Sequence, residues 1–461
     1  MTYDNMMKKK FVNKKEAKQL ISKLGDEFAI VKNPGYIHPE YELSPLAKKI
    51  RKTNKLIAAV MDMDGTTTTT EVLCIHSLEF MIRKFSGRMD KTIWQGLTEK
   101  DYPHIIGNST TKHVEYLIST YSKSFKKNEI IKSFLLAAVW TIFFGKDQQR
   151  KNEVLLNLKS FGCQDLIDDP FIRKFKNINA LVDEDKEHIS EYLFNKYKNH
   201  FNTFGFSDYV RLGIDVYYQR YHEILERIRL GESRFIAEEL FNDANKHLIE
   251  AMPGIAVFLP MIKGMITEHQ ELFFNYLIKS YENKTGNTLS NKKIESARKY
   301  FYSLCNHFQK LPMKTAIVTS SIFYEADIVL REVFKVICSE LNNLLPDSDF
   351  KRNLIEKFSD YNFYYDAVVT ASDSSEIRLK PHRDLYSIAL YKLNIPKNDF
   401  DKVIGFEDSE SGTIAIRAAG IGLCVAVPFT QTSGHNFKAA SYICKGGIPE
   451  VILKHNLFIQ Y

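Results

Sequence analysis

Short apolar runs mark the beginning and the last third of the chain. Residues 56–61 form the first run and are followed by the turn signal Asp64-Gly65. Similar runs occur later, at residues 315–319, 367–370, 403–406 and 423–427. Runs of this length that end at turns are typical of buried strands. Helical patterns lie between the later runs, at residues 322–330, 385–393 and 413–419. This alternation predicts an α/β fold with a parallel sheet covered on both faces.

The region between the first and the later strands has a helical pattern throughout. Apolar residues recur there at spacings of three and four, for example at Val114, Leu117, Ile118 and Tyr121. We therefore expect residues 71–252 to form an all-helical domain, inserted directly after the first strand. Its most apolar stretch, residues 134–144, is shorter than the ~20 residues of a membrane-spanning helix and predicts a buried helix.

The predicted organisation has three parts. Residues 1–52 are a lysine-rich N-terminal extension, which Pro34, Pro39 and Pro45 limit to a short helix and an extended lead-in. The other two parts are the helical domain and a sheet core. The core comprises residues 53–70 and 253–461, with helical insertions near 260–311 and 331–362.

Composition narrows the class of protein. The chain has 461 residues, 44% of them hydrophobic, which suffices for a large core. Six scattered cysteines without a CxxC pair indicate neither a zinc site nor a disulfide framework. The net charge of +7 is modest, so we expect neither a nucleic-acid nor a membrane partner. The polar N-terminus lacks the apolar core of a signal peptide, and we expect a cytoplasmic protein. The sequence does not predict an oligomeric state.

Two carboxylates follow the first strand. The carboxyl ends of parallel strands are where ligands bind in such sheets, so Asp62 and Asp64 are candidates for chemistry. Asp62 is the predicted nucleophile, which would form an aspartyl-phosphate. Asp64 is the predicted general acid and base. Alone, residues 62–65 also fit an ordinary turn after a strand.

Two further motifs supply groups that suit a phosphoryl substrate. Thr319 and Ser320 end the second core strand, where hydroxyl and backbone amide groups are able to bind phosphoryl oxygens. Lys380 is predicted to neutralise the nucleophile and the transferring phosphoryl group. Each motif alone is weak, since Lys380-Pro381 also fits a surface lysine before the first turn of a helix.

A fourth motif completes a predicted magnesium site. Asp408 follows the strand at residues 403–406 and is expected to bind Mg²⁺ with Asp62 and the backbone carbonyl of Asp64, because hard cations prefer oxygen ligands. Glu407 is predicted to be a further ligand or a group that orients the ligands. Asp408 or Ser409 would also serve as a helix cap. The four motifs, each at a strand end or in the loop that follows and in one order, are together far more specific than any one of them.

These motifs resemble those of the haloacid dehalogenase (HAD) superfamily, in particular the branch of β-phosphoglucomutase and the phosphoglycolate phosphatase-like enzymes. The resemblance implies a Rossmann-like core with an inserted helical cap, magnesium and an aspartyl-phosphate. Residues 106–109 resemble the cap specificity loop of that branch, and residues 252–255 resemble its return from the cap. The chain departs from the pattern at Thr69 and Arg383, where that branch usually has Asp and Pro, and its cap is larger than usual.

We therefore expect a magnesium-dependent phosphatase that acts on a small phosphorylated metabolite. The alternative is a sugar phosphomutase; such enzymes place a His after the first motif, and the nearest here is His76. A non-catalytic protein of the same fold is disfavoured, since Asp62, Asp64 and Asp408 are all present. Three residues near the expected specificity loop are candidates for substrate contacts: His104, Lys112 and His113.

Overall fold

The computed structural model describes residues 10–33, 37–53, 55–88, 94–105, 110–178, 180–373 and 376–459. The expected specificity loop at residues 106–109 lies outside these ranges, as does Pro34. The described residues divide into two units. The sheet unit comprises the chain up to residue 69 with residues 250–326 and 330–461, and the helical unit comprises residues 70–249 with 327–329.

A parallel six-stranded sheet is the centre of the sheet unit. Its strand order is β10-β9-β8-β3-β6-β7, and each neighbouring pair is parallel. The strands are β3 (Ala58–Asp62), β6 (Lys314–Val318), β7 (Ala367–Val369), β8 (Val403–Glu407), β9 (Leu423–Ala426) and β10 (Tyr442–Ile443). The predicted fold class is confirmed by this topology. Every residue of β3 and β8 is buried. Because both faces of these strands are covered, they appear in the sequence as nearly continuous apolar runs.

Helices cover this sheet and account for the additional segments of the unit. They are α11 (Ile255–Ile262), α12 (Gln270–Thr285), α13 (Asn291–Lys310), α14 (Phe323–Leu344), α15 (Asp349–Lys357), α16 (Asp384–Lys392), α17 (Glu410–Ala418) and α18 (Gly447–Lys454). α16 packs against β6 and β7, and α17 packs against β8 and β9. α12 and α13 pack on α18. The segment near 260–311 is therefore a pair of helices that rests on the C-terminal helix.

The N-terminal segment has more structure than the sequence predicted. It contains helix α1 (Lys14–Leu24) and an antiparallel hairpin of β1 (Glu27–Lys32) and β2 (Tyr41–Leu46). The sequence predicted the short helix and extended backbone after it, but not that the two extended segments pair with each other throughout. Ala29 and Leu46 pack with Ala418 of α17, so the hairpin belongs to the sheet unit.

The helical unit has its own core. Its helices are α2 (Glu71–Ser86), α3 (Tyr102–Ile105), α4 (Thr110–Tyr121), α5 (Lys127–Phe143), α6 (Gln148–Ser160), α7 (Pro170–Arg173), α8 (Asp183–Tyr197), α9 (Phe206–Arg229) and α10 (Ser233–Phe241). α9 packs against α2, α4 and α5. The apolar α5 is buried, as predicted from its sequence. In the described ranges, no helix is long and apolar enough to cross a membrane.

A third sheet, of two strands, lies where the chain leaves and re-enters the sheet unit. β4 (Thr68–Thr69) and β5 (Glu250–Ala251) pair antiparallel, with Thr69 opposite Glu250. The Thr68 hydroxyl donates to the backbone oxygen of Glu250 at 2.9 Å. This pairing joins the two connections to the helical insertion, so the insertion does not separate the ends of the sheet unit from each other.

Candidate active site

Asp62 is the last residue of the central strand β3. The register places Met61 opposite Phe406 of β8 on one side, so Glu407 lies at the same edge as Asp62. On the other side, Asp62 is opposite Val318 of β6, and Thr319 follows directly. The sheet therefore brings groups from three neighbouring strands to one carboxyl edge.

Lys380 links two of the acids. Its Nζ forms ion pairs with Asp62 Oδ1 and with Glu407 Oε1, the second at 2.6 Å. All three side chains are at most 9% exposed. Burial and the neighbouring charge of Glu407 raise the pKa of Asp62 to about 8, against the opposing effect of Lys380. Although burial alone would lower the pKa of Lys380, the charges of Asp62 and Glu407 together raise it, so the lysine stays protonated.

Glu407 is held on both carboxylate oxygens. The Tyr386 hydroxyl donates to Oε1 at 3.1 Å. The backbone amide and the hydroxyl of Ser409 donate to Oε2 at 3.0 and 2.8 Å. A carboxylate with this many donors is fixed in place. The arrangement favours an orienting role for Glu407, while its role as a metal ligand stays a prediction.

Two glycines make room for the acids. Gly65 has φ +78°, in the left-handed region that favours glycine. A Cβ there would overlap Asp408 Oδ2 and lie 2.7 Å from Phe429. A Cβ on Gly412, in α17, would overlap the Glu407 carboxylate. Both acids are therefore packed against backbone that has no side chain.

The turn after β3 is held by its own hydrogen bonds. The Thr67 hydroxyl donates to the backbone oxygen of Asp62 at 2.8 Å. The amides of Thr67 and Thr68 both donate to the Met63 oxygen at 2.9 Å, and the Gly65 amide donates to Thr68. Asp64 lies within this turn and is half-buried. The sequence reading of a turn is correct, and the same turn carries the second predicted acid.

Three buried carboxylates form a group that fits a divalent cation. Asp62, Glu407 and Asp408 each offer one oxygen, and these oxygens lie within 4.8 Å of one another. An all-oxygen, anionic donor set suits Mg²⁺. Among the described residues, this group does not include the carboxylate of Asp64. The predicted metal ligand from Asp64 is its backbone carbonyl.

Thr319 and Ser320 are placed differently from each other. Thr319 is buried, and its hydroxyl oxygen accepts from the Ser321 amide at 3.0 Å. Its own amide donates to the Val369 oxygen of β7 at 2.9 Å. The bond from Ser321 holds the Thr319 hydroxyl oxygen in place, and its contact with a phosphoryl oxygen stays a prediction. Ser320 is exposed, and its predicted contact with substrate stays a prediction.

Sequence reasoning missed two residues that orient the site. Tyr386 is one of 24 tyrosines in the chain and has no distinguishing pattern. Ser409 was recognised only as a helix cap, and it does cap α17 by accepting from the Gly412 amide at 3.1 Å. Its additional contact with Glu407 depends on the turn between strand and helix, which the sequence does not specify.

The candidates in the cap all lie in the helical unit. His104 is exposed and stacks on Tyr116, with ring centroids 4.3 Å apart. Lys112 is exposed and His113 is buried. His76 lies on α2, where Arg220 Nε donates to its Nε2 at 3.3 Å. Their roles in binding a substrate stay predictions.

Comparison with known proteins gives structural similarity only. No family model matches the sequence, and no curated protein matches it. Among solved structures, the chain is similar to CbbY from Rhodobacter sphaeroides in complex with phosphate, with 13% identity, a TM-score of 0.36, and coverage of 84% of this chain and 93% of that one.

Two further structures are similar at the same level. A putative β-phosphoglucomutase from Thermotoga maritima has 16% identity and a TM-score of 0.34, with 86% of this chain and 97% of that one covered. A HAD hydrolase of family IA, variant 3, from Entamoeba histolytica has 12% identity and a TM-score of 0.33, with coverage of 84% and 92%.

Proposed function

We propose that this protein is a magnesium-dependent phosphatase that hydrolyses a small phosphorylated metabolite through an aspartyl-phosphate on Asp62. One observation supports this most strongly: at the end of the central strand, a buried lysine contacts Asp62 and Glu407, and Asp408 lies within the same group of oxygens. A nucleophilic carboxylate needs nearby positive charge to approach an anionic phosphoryl group, and Lys380 supplies it.

The first step transfers the phosphoryl group to the enzyme. An Asp62 carboxylate oxygen forms a bond to phosphorus as the ester oxygen–phosphorus bond of the substrate breaks. Asp64, as the protonated acid, donates its proton to the leaving oxygen, which departs as an alcohol. Splitting the hydrolysis in this way replaces one difficult substitution by two easier ones.

The second step releases phosphate. The Asp64 carboxylate left by the first step takes a proton from water, whose oxygen attacks phosphorus while the bond to Asp62 breaks. The products are inorganic phosphate and a regenerated pair of acids. Throughout both steps, Lys380 faces the negative charge of Asp62 and the phosphoryl oxygens, and the Thr319 hydroxyl is oriented to donate to one of those oxygens.

The residues that would hold magnesium are Asp62, Asp408 and the backbone carbonyl of Asp64, with Glu407 as a further ligand or an orienting group. A bound magnesium ion would supply positive charge to the transferring phosphoryl group. Glu407 keeps Lys380 in place through their shared ion pair. The three acids and one lysine leave the cluster net negative, so a divalent cation would relieve repulsion between the carboxylates.

The test is phosphate release from a panel of sugar phosphates, phosphoglycolate and nucleotides, with and without magnesium. We expect metal-dependent release that falls at least 100-fold in Asp62→Asn and in Asp64→Asn. Asp349→Asn changes an exposed carboxylate on α15 and serves as the matched control, with unchanged release. Release that persists in Asp62→Asn would refute the proposed nucleophile. An isomerised sugar phosphate without net phosphate release would identify a phosphomutase instead.

A further inference from the structure

The net positive charge of the chain comes from its N-terminal end. The first 55 residues contain 13 Lys and Arg against 6 Asp and Glu, a net charge of +7. This equals the net charge of the whole protein, so the remaining 406 residues are neutral overall. A surplus confined to about an eighth of the chain creates a local positive field, which a total of +7 does not reveal.

Helix α1 in this segment is stabilised locally. The Asn13 side chain accepts from the amides of Lys15 and Glu16, and the Glu16 carboxylate accepts from the Asn13 amide, each at 3.0 Å. This reciprocal cap satisfies the first orphan amides of the helix. None of its eleven residues is buried. The helix therefore forms without using a face to pack into a core.

One face of α1 is apolar. Ala17, Leu20, Ile21 and Leu24 recur at the spacings i, i+3, i+4 and i+7, which places them in one stripe. Ile21 is 42% exposed and Leu24 is 56% exposed. Ala17 and Leu20 are half-buried. An amphipathic stripe normally faces a core, whereas the Ile21 and Leu24 part of this one is exposed to solvent.

Lysines border and oppose this stripe. Lys14 and Lys18 precede Ile21 by seven and three residues and lie beside the stripe, and Lys15 lies on the polar face. Among the residues that the structure describes, no carboxylate pairs with Lys14, Lys15 or Lys18. Their charges are therefore available to an external anion.

The hairpin adds a second exposed apolar face. Ile30 of β1 is directly opposite Leu43 of β2, and their side chains are 66% and 52% exposed. The alternate positions Ala29 and Val31 are buried. The hairpin thus packs one face on the sheet unit and presents a cross-strand apolar pair on the other.

We propose that the N-terminal segment docks on an anionic lipid surface through α1 and the outer face of the β1–β2 hairpin. A short helix with an exposed apolar stripe beside lysines is suited to the boundary between headgroups and acyl chains. An anionic lipid surface offers both partners at once: phosphate headgroups for the lysines and acyl chains for the apolar side chains. Nucleic acid offers no comparable contact for the apolar stripe. This proposal departs from the expectation of no membrane partner, and the attachment it describes is peripheral, without a spanning helix.

The test is co-sedimentation of the full chain with vesicles of phosphatidylcholine mixed with an equal part of phosphatidylglycerol, and with vesicles of phosphatidylcholine alone. We expect binding to the anionic vesicles that weakens as salt is added. Lys14→Gln with Lys18→Gln should lower the partition coefficient about 25-fold. Ile21→Asn with Leu24→Asn should lower it at least as much.

Two matched controls should bind like the wild type. Lys292→Gln with Lys293→Gln removes two exposed lysines elsewhere in the sheet unit, and Tyr391→Asn removes an aromatic side chain that is 82% exposed. Equal binding to neutral vesicles, no binding to either kind, or equal loss in the controls would overturn the proposal. If vesicles do not bind and the Ile21 and Leu24 variant instead changes the oligomeric state in gel filtration, the surface belongs to a second copy of the chain.

Discussion

At the scale of single residues, the Glu407 carboxylate occupies space that is free only because residue 412 is a glycine. Alanine is favoured over glycine inside a helix by about 1 kcal/mol, and Gly412 lies within α17. A Cβ at this position would nevertheless overlap the buried Glu407 carboxylate. We expect Gly412→Ala to displace Glu407 from Lys380 and to lower phosphate release at least tenfold, measured at saturating magnesium.

Gly434 provides the control for Gly412, because the space beside it is free. A Cβ on Gly434 would meet no atom within 4 Å, so Gly434→Ala should leave phosphate release and the melting temperature unchanged. Full activity in Gly412→Ala would mean that Glu407 is not held where the structure places it.

The protonation of Asp62 predicts how magnesium binding depends on pH. The pKa of this buried carboxyl is raised from its ordinary value of 3.8 to about 8, by burial and by Glu407. Between these values, the folded metal-free protein holds a proton that the unfolded chain releases, so its stability should fall as pH rises. Magnesium competes with this proton, and its affinity should increase by up to tenfold per pH unit until about pH 8.

Calorimetric titration with magnesium in two buffers of different ionisation enthalpy would measure the proton released. We expect about one proton near neutral pH and none in Asp62→Asn. An affinity that is independent of pH in the wild type would contradict a raised pKa for Asp62.

The sequence predicted which residues meet, but not how they are held. Asp62, Glu407 and Asp408 come together because each ends or directly follows a buried strand, and parallel strands end at one edge. Lys380 reaches them from the segment between β7 and α16. The contacts from Tyr386 and Ser409 were not predictable, because they depend on how α16 and the turn before α17 pack on the sheet.

At the scale of elements, Arg417 attaches the N-terminal hairpin to α17. Its guanidinium is fully buried and donates to the backbone oxygens of Ala47 and Ala439 and to the Glu27 carboxylate. Removing it in Arg417→Met would leave two half-buried carbonyls, those of Ala47 and Ala439, without these donors. We expect a loss of about 3 kcal/mol in the free energy of unfolding, measured by chemical denaturation.

A substitution of Glu27 tests the ion pair with Arg417 separately from the contacts that Arg417 makes with backbone oxygens. Its side chain is about half exposed, so solvent screens the ion pair, and Glu27→Gln should cost less than about 1 kcal/mol. If Glu27→Gln destabilised the protein as much as Arg417→Met, the ion pair rather than the carbonyl contacts would be the main attachment.

Among the elements, the long buried strands were predictable from the sequence, whereas the N-terminal hairpin and the shortest strands were not. Five buried strands of the sheet were predicted to within two residues, since continuous apolar runs between turns allow few other readings. The β1–β2 hairpin was missed because Tyr41, Leu43 and Ile30 face solvent and disturb the expected alternation. The two-residue strands β4 and β5 have no sequence pattern, as they exist only through their pairing with each other.

At the scale of the whole molecule, the candidate site and the large insertion are separate parts of the chain. The acids, Lys380 and Thr319 all belong to the sheet unit, although 180 residues of the helical unit, 70–249, separate Asp62 and Asp64 from the rest of them in sequence. The pairing of Thr69 with Glu250 brings the two ends of this insertion to about 5 Å of each other. A two-residue turn would span that gap.

We therefore expect a protein in which Asn-Gly replaces residues 70–249 to fold and to keep its response to magnesium. The metal should raise the melting temperature of the shortened protein as it does that of the full chain, because Asp62, Glu407 and Asp408 are retained and binding to the folded state stabilises it. Asp408→Asn in the shortened protein should abolish the shift. A shortened protein that unfolds cooperatively but ignores magnesium would show that the helical unit contributes to the metal site, and the sheet edge alone would then be insufficient to bind it.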